Sequence, residues 1–243
     1  MIELLLKELA FGVSKLFPDA LFYKPTQERI VALTIDDAPT PEDPDDYSTQ
    51  LILDAIACDN QGITNPEERS RATFFIIGGH LSEHSTILKR ILQDGHEIGN
   101  HGMIDDTHAW LHPQEFERQL KEAHDRLLFL TGLEQIRWYR PGRGLYNQEM
   151  LKAIKRLGDS TDYNLKLALA SMVPIDTYEI LHGNPQFIAW YINQFVFPGA
   201  ILVLHGGSIA RAKHTAAALS IILQELRRKN YRVVTLSELW DSD

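Results

Sequence analysis

The chain has 243 residues, with 24 Lys plus Arg set against 33 Asp plus Glu, a formal charge of −9. That balance argues against a polyanion binder, because nucleic-acid affinity rests on clustered cations and the longest basic run is Arg227-Arg228-Lys229. A hydrophobic fraction of 44% supplies an ordinary globular core and argues against disorder, and at roughly 150 residues per domain the length fits one large α/β domain.

Ile2, Leu5, Leu6, Leu9, Val13, Leu16 and Phe17 recur at helical spacing, which predicts an amphipathic helix ending before Pro18. Its polar face mixes Glu3, Lys7, Glu8 and Lys15, so residues 1–29 are expected to pack on the main domain (30–243) rather than on anionic lipid. Short β-rich runs follow at Ile30 to Ile35, Ala72 to Ile77, His96 to Gly99, Ile136 to Tyr139, Leu165 to Ala170, Ala200 to Leu204 and Tyr231 to Leu236. Helical stretches alternate with them: Ser48 to Ala57, Glu83 to Gln93, Pro113 to Leu130, Gln148 to Leu157, Pro185 to Phe195 and Thr215 to Lys229. Gly95, Gly132 and Gly158 stand where C-caps are expected, and Asn147 and Asn184 where N-caps are. Seven strands alternating with helices indicate a parallel sheet, closed as a barrel or open and doubly wound.

The candidate chemistry collects at strand ends. Asp36 and Asp37 close the first run, His101 follows Glu97-Ile-Gly-Asn, and Arg140 follows Arg137-Trp-Tyr. Asp176 lies beyond Leu165 to Ala170, and His205 directly follows Ile201-Leu-Val-Leu. Five strands thus each deliver a polar or ionisable group at the C-terminal end, where parallel α/β proteins assemble their sites. A catalytic divalent metal wants about three imidazole or carboxylate ligands. Asp37, His101 and Asp105 could supply them, with Asp106, His108 and His112 as competitors for the third place.

The ordered set Thr34-Ile-Asp-Asp37, Ala72-Thr-Phe-Phe75, His96-Glu-Ile-Gly-Asn-His101, Arg140-Pro-Gly-Arg-Gly144, Val203-Leu-His205 and Tyr231-Arg-Val-Val-Thr-Leu236 resembles the polysaccharide deacetylases of the NodB-homology type, carbohydrate esterase family 4. The resemblance runs from Ile30 to Trp240. It implies a deformed (β/α) barrel of about seven parallel strands and hydrolysis of an acetyl group from an N-acetylated saccharide. By position, Asp36 corresponds to the catalytic base, Asp37 and His101 to metal ligands, His205 to the general acid and Arg140 to the arginine that orients the base. Asp176 is the best match to the carboxylate that pairs with the acid histidine.

This sequence departs from the pattern at several points. Asp105 stands where the family has a second histidine, Thr177 replaces a tryptophan, Gly142 a proline and Gly206 an aspartate. An Asp-His-Asp set remains reasonable for zinc or another divalent ion. A backbone N–H near Gly142 or Arg143 is expected to help the metal hold the oxyanion. Trp110 and Tyr146 are expected to border the sugar, with Trp138 and Tyr139 as further aromatics near the motifs. Removal of O-acetyl groups, deacetylation of a small amide, and a non-catalytic carbohydrate-binding relic are the competing readings. A single cysteine, Cys58, excludes an internal disulfide, and no stretch reaches a membrane-spanning length. With no recognisable export signal, the cytoplasm is the expected compartment. Oligomeric state is left open.

Overall fold

The computed structural model describes residues 2–82, 85–160, 165–174 and 184–242. Helix α1 (Ile2–Leu16) and a short strand β1 (Ala20–Leu21) lead into β2 (Ile30–Ala38), α2 (Tyr47–Asp59), β3 (Ala72–Ile76), α3 (Ile87–Gln93) and β4 (Glu97–Asn100). The chain continues through α4 (Pro113–Thr131), β5 (Trp138–Tyr139), α5 (Gln148–Ser160), β6 (Lys166–Ala168) and α6 (Pro185–Phe195). It ends with β7 (Ile201–His205), α7 (Ile209–Arg228), β8 (Arg232–Val234) and α8 (Leu236–Asp241).

The strands pair in parallel in the order β1-β6-β5-β4-β3-β2-β7, with β8 on the lower part of β2. The segment after β6 bends across to β7, where Met172 bridges Leu202 and the N–H groups of Ser171 and Met172 both reach the Ile201 carbonyl at 3.1 Å. The sheet is thereby curled into the deformed barrel that the family resemblance implies. All seven expected strands are present, and β1 is an addition.

Every residue of β2 is buried, as expected for a strand covered on both faces. Its two-residue period sorts the side chains. Val31, Leu33 and Ile35 join the cluster under the helices, whereas Ile30 and Ala32 join the barrel interior with Phe75, Trp138, Ala168 and Ile201. Thr34 and Asp36 share the interior parity, and so do Arg140 two residues beyond Trp138 and His205 four beyond Ile201. The outer layer is held by apolar burial: Ile52, Leu53 and Ile56 of α2 are fully enclosed, a contribution of about 1.5–3 kcal/mol per side chain.

Several expected boundaries move. Helix α7 begins at Ile209, not Thr215, because the Ser208 hydroxyl accepts from the Arg211 N–H at 3.2 Å and caps the helix there. The last strand stops at Val234, because Thr235 and Glu238 form a capping box and start α8. Gly158 lies inside α5 and is not its cap, and α3 starts at Ile87, Glu83 lying outside the described residues. Helix α1 meets the rest of the protein along one side only. Ala10 is buried, Leu6 packs on the core and Lys7 reaches the Thr26 carbonyl at 2.9 Å, but Leu4, Leu5, Leu9 and Leu16 are 64%, 68%, 63% and 75% exposed. Among the described residues no helix is long and apolar enough to cross a membrane.

Candidate active site

Two adjacent residues of a regular strand point to opposite faces, so Asp36 and Asp37 need a break in the period to serve one site. The β2–β3 register supplies it: Ile35 pairs with Phe74 and Ala38 with Ile76, leaving one extra residue in β2. Asp37 absorbs the bulge at φ 64°, a left-handed conformation that non-glycine residues seldom adopt. The peptides leaving β7 brace the turn, Gly206 N–H donating to the Asp36 carbonyl at 2.8 Å and Gly207 N–H to that of Asp37 at 3.1 Å. His205 stands beside Asp36 as its register partner.

Arg140 organises the interior. Its Nη1 donates to Asp36 Oδ1 at 2.7 Å and to Thr34 Oγ1 at 2.6 Å, while Nε and Nη2 reach the carbonyls of Ala168 at 3.2 Å and Leu169 at 2.9 Å. The guanidinium lies 4.2 Å from the centre of the Phe75 ring. Gly99 gives that ring its space, since a Cβ there would come within 2.7 Å of it. Burial lowers the Arg140 pKa and the Asp36 carboxylate pulls it back within this fully enclosed pair.

Asp37 and His101 form the second pair. His101 Nδ1 donates to the Arg140 carbonyl at 2.8 Å, which aims Nε2 at Asp37 Oδ1, 3.2 Å away. The other oxygen, Oδ2, accepts from Arg211 Nη1 at 3.1 Å. Burial alone would raise the Asp37 carboxyl, but the His101 bond and the charges of His101, His205 and Arg211 hold it well below the usual carboxylate range. Burial would likewise lower His101, and the Asp37 and Asp36 carboxylates outweigh it and raise the imidazole.

The third expected metal ligand is not brought to this pair. Asp105 is exposed and faces Arg143 Nη2 at 3.3 Å. His108 is buried, but its lone pair is spent: a peptide N–H can only donate, and that of Gly142 reaches Nδ1 at 3.1 Å, where the Tyr139 hydroxyl also lies at 2.8 Å. The ring therefore carries its proton on Nε2 and donates it to the Ile104 carbonyl at 3.1 Å, and burial pushes its pKa down to about 4. Asp106 is exposed and accepts from the Thr107 N–H at 2.6 Å. His112 is exposed and precedes α4. Among the described residues no three His, Cys, Asp or Glu side chains gather as a metal-holding group. The structure thus brings Asp37 and His101 together as a carboxylate–imidazole pair and leaves Asp105 apart from them.

Two further expectations change. The Gly142 N–H, expected near the oxyanion, is committed to His108, and a Cβ on Gly142 would fall 1.9 Å from the Asp106 carbonyl oxygen. Tyr146 packs its ring 6.4 Å from that of Phe17 and joins the cluster around Phe116 and Leu157. Trp110 is 79% exposed at the end of the short helical turn His108–Trp110. Trp138 and Tyr139 are core residues. Asp176 lies outside the described residues. A cleft of about 960 Å³ opens away from these groups, between the 18–23 lead-in, α5 and Trp240. Sequence reasoning missed Arg211 and Thr34: the first sits on a helix that begins earlier than its pattern suggests, and the second reads as an ordinary strand residue.

A model of the polysaccharide deacetylase family matches residues 23–160. A peptidoglycan-N-acetylglucosamine deacetylase of Bacillus cereus is 31% identical over 218 residues, spanning 88% of this chain and 90% of that protein. A chitooligosaccharide deacetylase of Rhizobium leguminosarum bv. trifolii is 26% identical, spanning 88% of this chain and 93% of its own. Among solved structures, a peptidoglycan N-acetylglucosamine deacetylase superposes with a TM-score of 0.77 at 26% identity, covering 95% of this chain and 97% of that one.

Proposed function

The chain belongs to the polysaccharide deacetylase family, and from that premise we propose that it hydrolyses the N-acetyl group of an N-acetylglucosamine-containing saccharide, releasing acetate and a free amine. The observation that carries the reading is the register pair Asp36–His205 at one end of the barrel, with Asp36 held by Arg140 at 2.7 Å. A carboxylate and an imidazole on neighbouring strands suit the two proton transfers that amide hydrolysis needs. Water attacks the acyl carbon as Asp36 takes its proton, and the carbonyl electron pair moves onto oxygen. When the tetrahedral species collapses, the C–N bond breaks and His205 delivers a proton to the nitrogen, which cannot leave as an anion. Arg140 holds the Asp36 carboxyl in place through its 2.7 Å hydrogen bond. The exposed Trp110 offers a face on which a sugar ring can stack.

A divalent ion would polarise the acetyl carbonyl and acidify the attacking water. Asp37 and His101 would supply two donors to it, one fewer than such a site ordinarily uses.

The test is acetate release from N-acetylated chitooligosaccharides and from peptidoglycan fragments. Release from these amides, lost in Asp36→Asn, is expected. Hydrolysis confined to O-acetyl esters would transfer the reading to an esterase, and saccharide binding without any acetate release would make the protein a carbohydrate-binding relic.

A further inference from the structure

The Asp37 carboxylate is enclosed, with 6% of its residue surface exposed, and meets a positively charged or chargeable group at each oxygen. His101 Nε2 stands at Oδ1 and Arg211 Nη1 at Oδ2, at 3.2 and 3.1 Å. The arrangement is built into the turn. Ser208 fixes the Arg211 backbone by accepting its N–H at 3.2 Å. Gly207, at φ 65°, lets the guanidinium in, because a Cβ there would stand 3.0 Å from the Asp37 Cβ and 3.2 Å from Arg211 Nη1. Of the candidates for a third metal ligand, Asp105 is turned to Arg143 and the His108 lone pair to Gly142.

We infer that Arg211 takes the place of the divalent cation at Asp37, so that this protein keeps its carboxylate–imidazole pair assembled without a stoichiometric metal ion. A guanidinium beside the free oxygen neutralises the charge that would attract an ion and repels any dication that approaches. The fixed positive charge also remains in the site while the acyl oxygen becomes negative; this last consequence rests on the deacetylase reading above. Arg211 is then a positioning residue that holds Asp37 through its ionic hydrogen bond and supplies a permanent charge in a partly desolvated place.

The experiment is zinc titration of the full chain by calorimetry, with metal analysis after dialysis, for wild type, Arg211→Lys and Arg211→Gln, each checked for folding by circular dichroism. Wild type and Arg211→Lys, both cationic, are expected to retain no stoichiometric zinc. Arg211→Gln, which uncovers Oδ2, is expected to bind zinc at least tenfold more tightly, a gain that a merely structural arginine would not produce. If Arg211→Gln does not fold, the first two titrations decide. One tightly bound zinc in wild type, abolished by Asp37→Asn, overturns the inference. Acetate release provides the second arm. Insensitivity to chelator is expected, and release abolished by chelator and restored by zinc overturns the inference while leaving the deacetylase reading intact. Absence of release with or without zinc overturns the deacetylase reading instead, and the titration still decides what stands at Asp37.

Discussion

The barrel holds carboxylates at both ends and satisfies them in opposite ways. At the N-terminal end, Glu97 accepts from the Thr73 hydroxyl at 2.6 Å, from the Ser237 N–H at 3.2 Å and from the Ser237 hydroxyl, which in turn accepts from Trp138 Nε1 at 2.9 Å. Neutral donors surround it, its backbone is regular β, and burial raises its pKa against their pull. At the C-terminal end, Asp36 and Asp37 are met by the cations Arg140 and Arg211, and Asp37 occupies a left-handed conformation. A carboxylate that only ties elements together is served adequately by hydroxyls and peptides. Fixed charges and a bulged strand are costly to keep, and both stand at the C-terminal end.

The sharpest break of that comparison is Asp36→Asn. The amide keeps the shape but cannot take a proton, so acetate release should fall by about 10²–10⁴-fold. The variant should also lose stability, because Arg140 is left in the interior without its counter-charge, a change that typically costs about 3–5 kcal/mol when a buried pair is broken. Steady-state rates together with urea unfolding check both; unchanged rates would remove Asp36 from the chemistry.

Glu97→Gln probes the other end and should reverse the pattern. An amide nitrogen would face donors that now point at a carboxylate oxygen, and one lost buried hydrogen bond costs about 1–3 kcal/mol. Urea midpoints should drop while acetate release per folded molecule is unchanged. A loss of rate as large as that of Asp36→Asn would erase the distinction between the ends.

A third effect is in the pH dependence of stability. His96 accepts the Ala72 N–H at Nδ1, 3.2 Å away, and burial, helped by Arg71 and Arg90, pushes its pKa down to about 4. The folded state resists the proton that the unfolded chain takes up near pH 6.5, so this contribution is complete above that value and is lost as pH falls toward 4. His108, with its pKa also pushed down to about 4, acts in the same direction. Each such group adds at most about 1.4 kcal/mol per pH unit in that window. His96→Asn retains an acceptor for Ala72 and cannot titrate there, so its unfolding free energy should fall less steeply from pH 6.5 to 4.5 than that of wild type.

How far these two ends can be read from sequence differs residue by residue. Asp36, Arg140 and His205 are legible because a strand pattern runs straight into each and the two-residue period then sets the face. Asp37 is not: its direction depends on a bulge visible only in the pairing of Ile35 and Ala38 with β3. Arg211 escapes because it reaches the site across the Gly207 turn, a distance of the fold and not of the chain. Asp105 misleads because counting from His101 assumes a loop path, and the loop instead folds around the His108 ring. The lower end is hidden for a related reason. Thr235 to Leu236 reads as the end of a strand until Glu238 is seen to close a capping box.

The tethering of that loop has a consequence for how the protein can change. His108 anchors it from within, through Gly142, Tyr139 and Ile104, so the outward-facing side chains carry little of its architecture. Asp105 and Trp110 stand on the outside of the same loop. They are places where mutation can accumulate without endangering the fold, close in sequence to His101. New substrate preferences in descendants of this chain, natural or selected in the laboratory, should therefore arise first at Asp105 and Trp110, with His108 and Gly142 held constant beneath them.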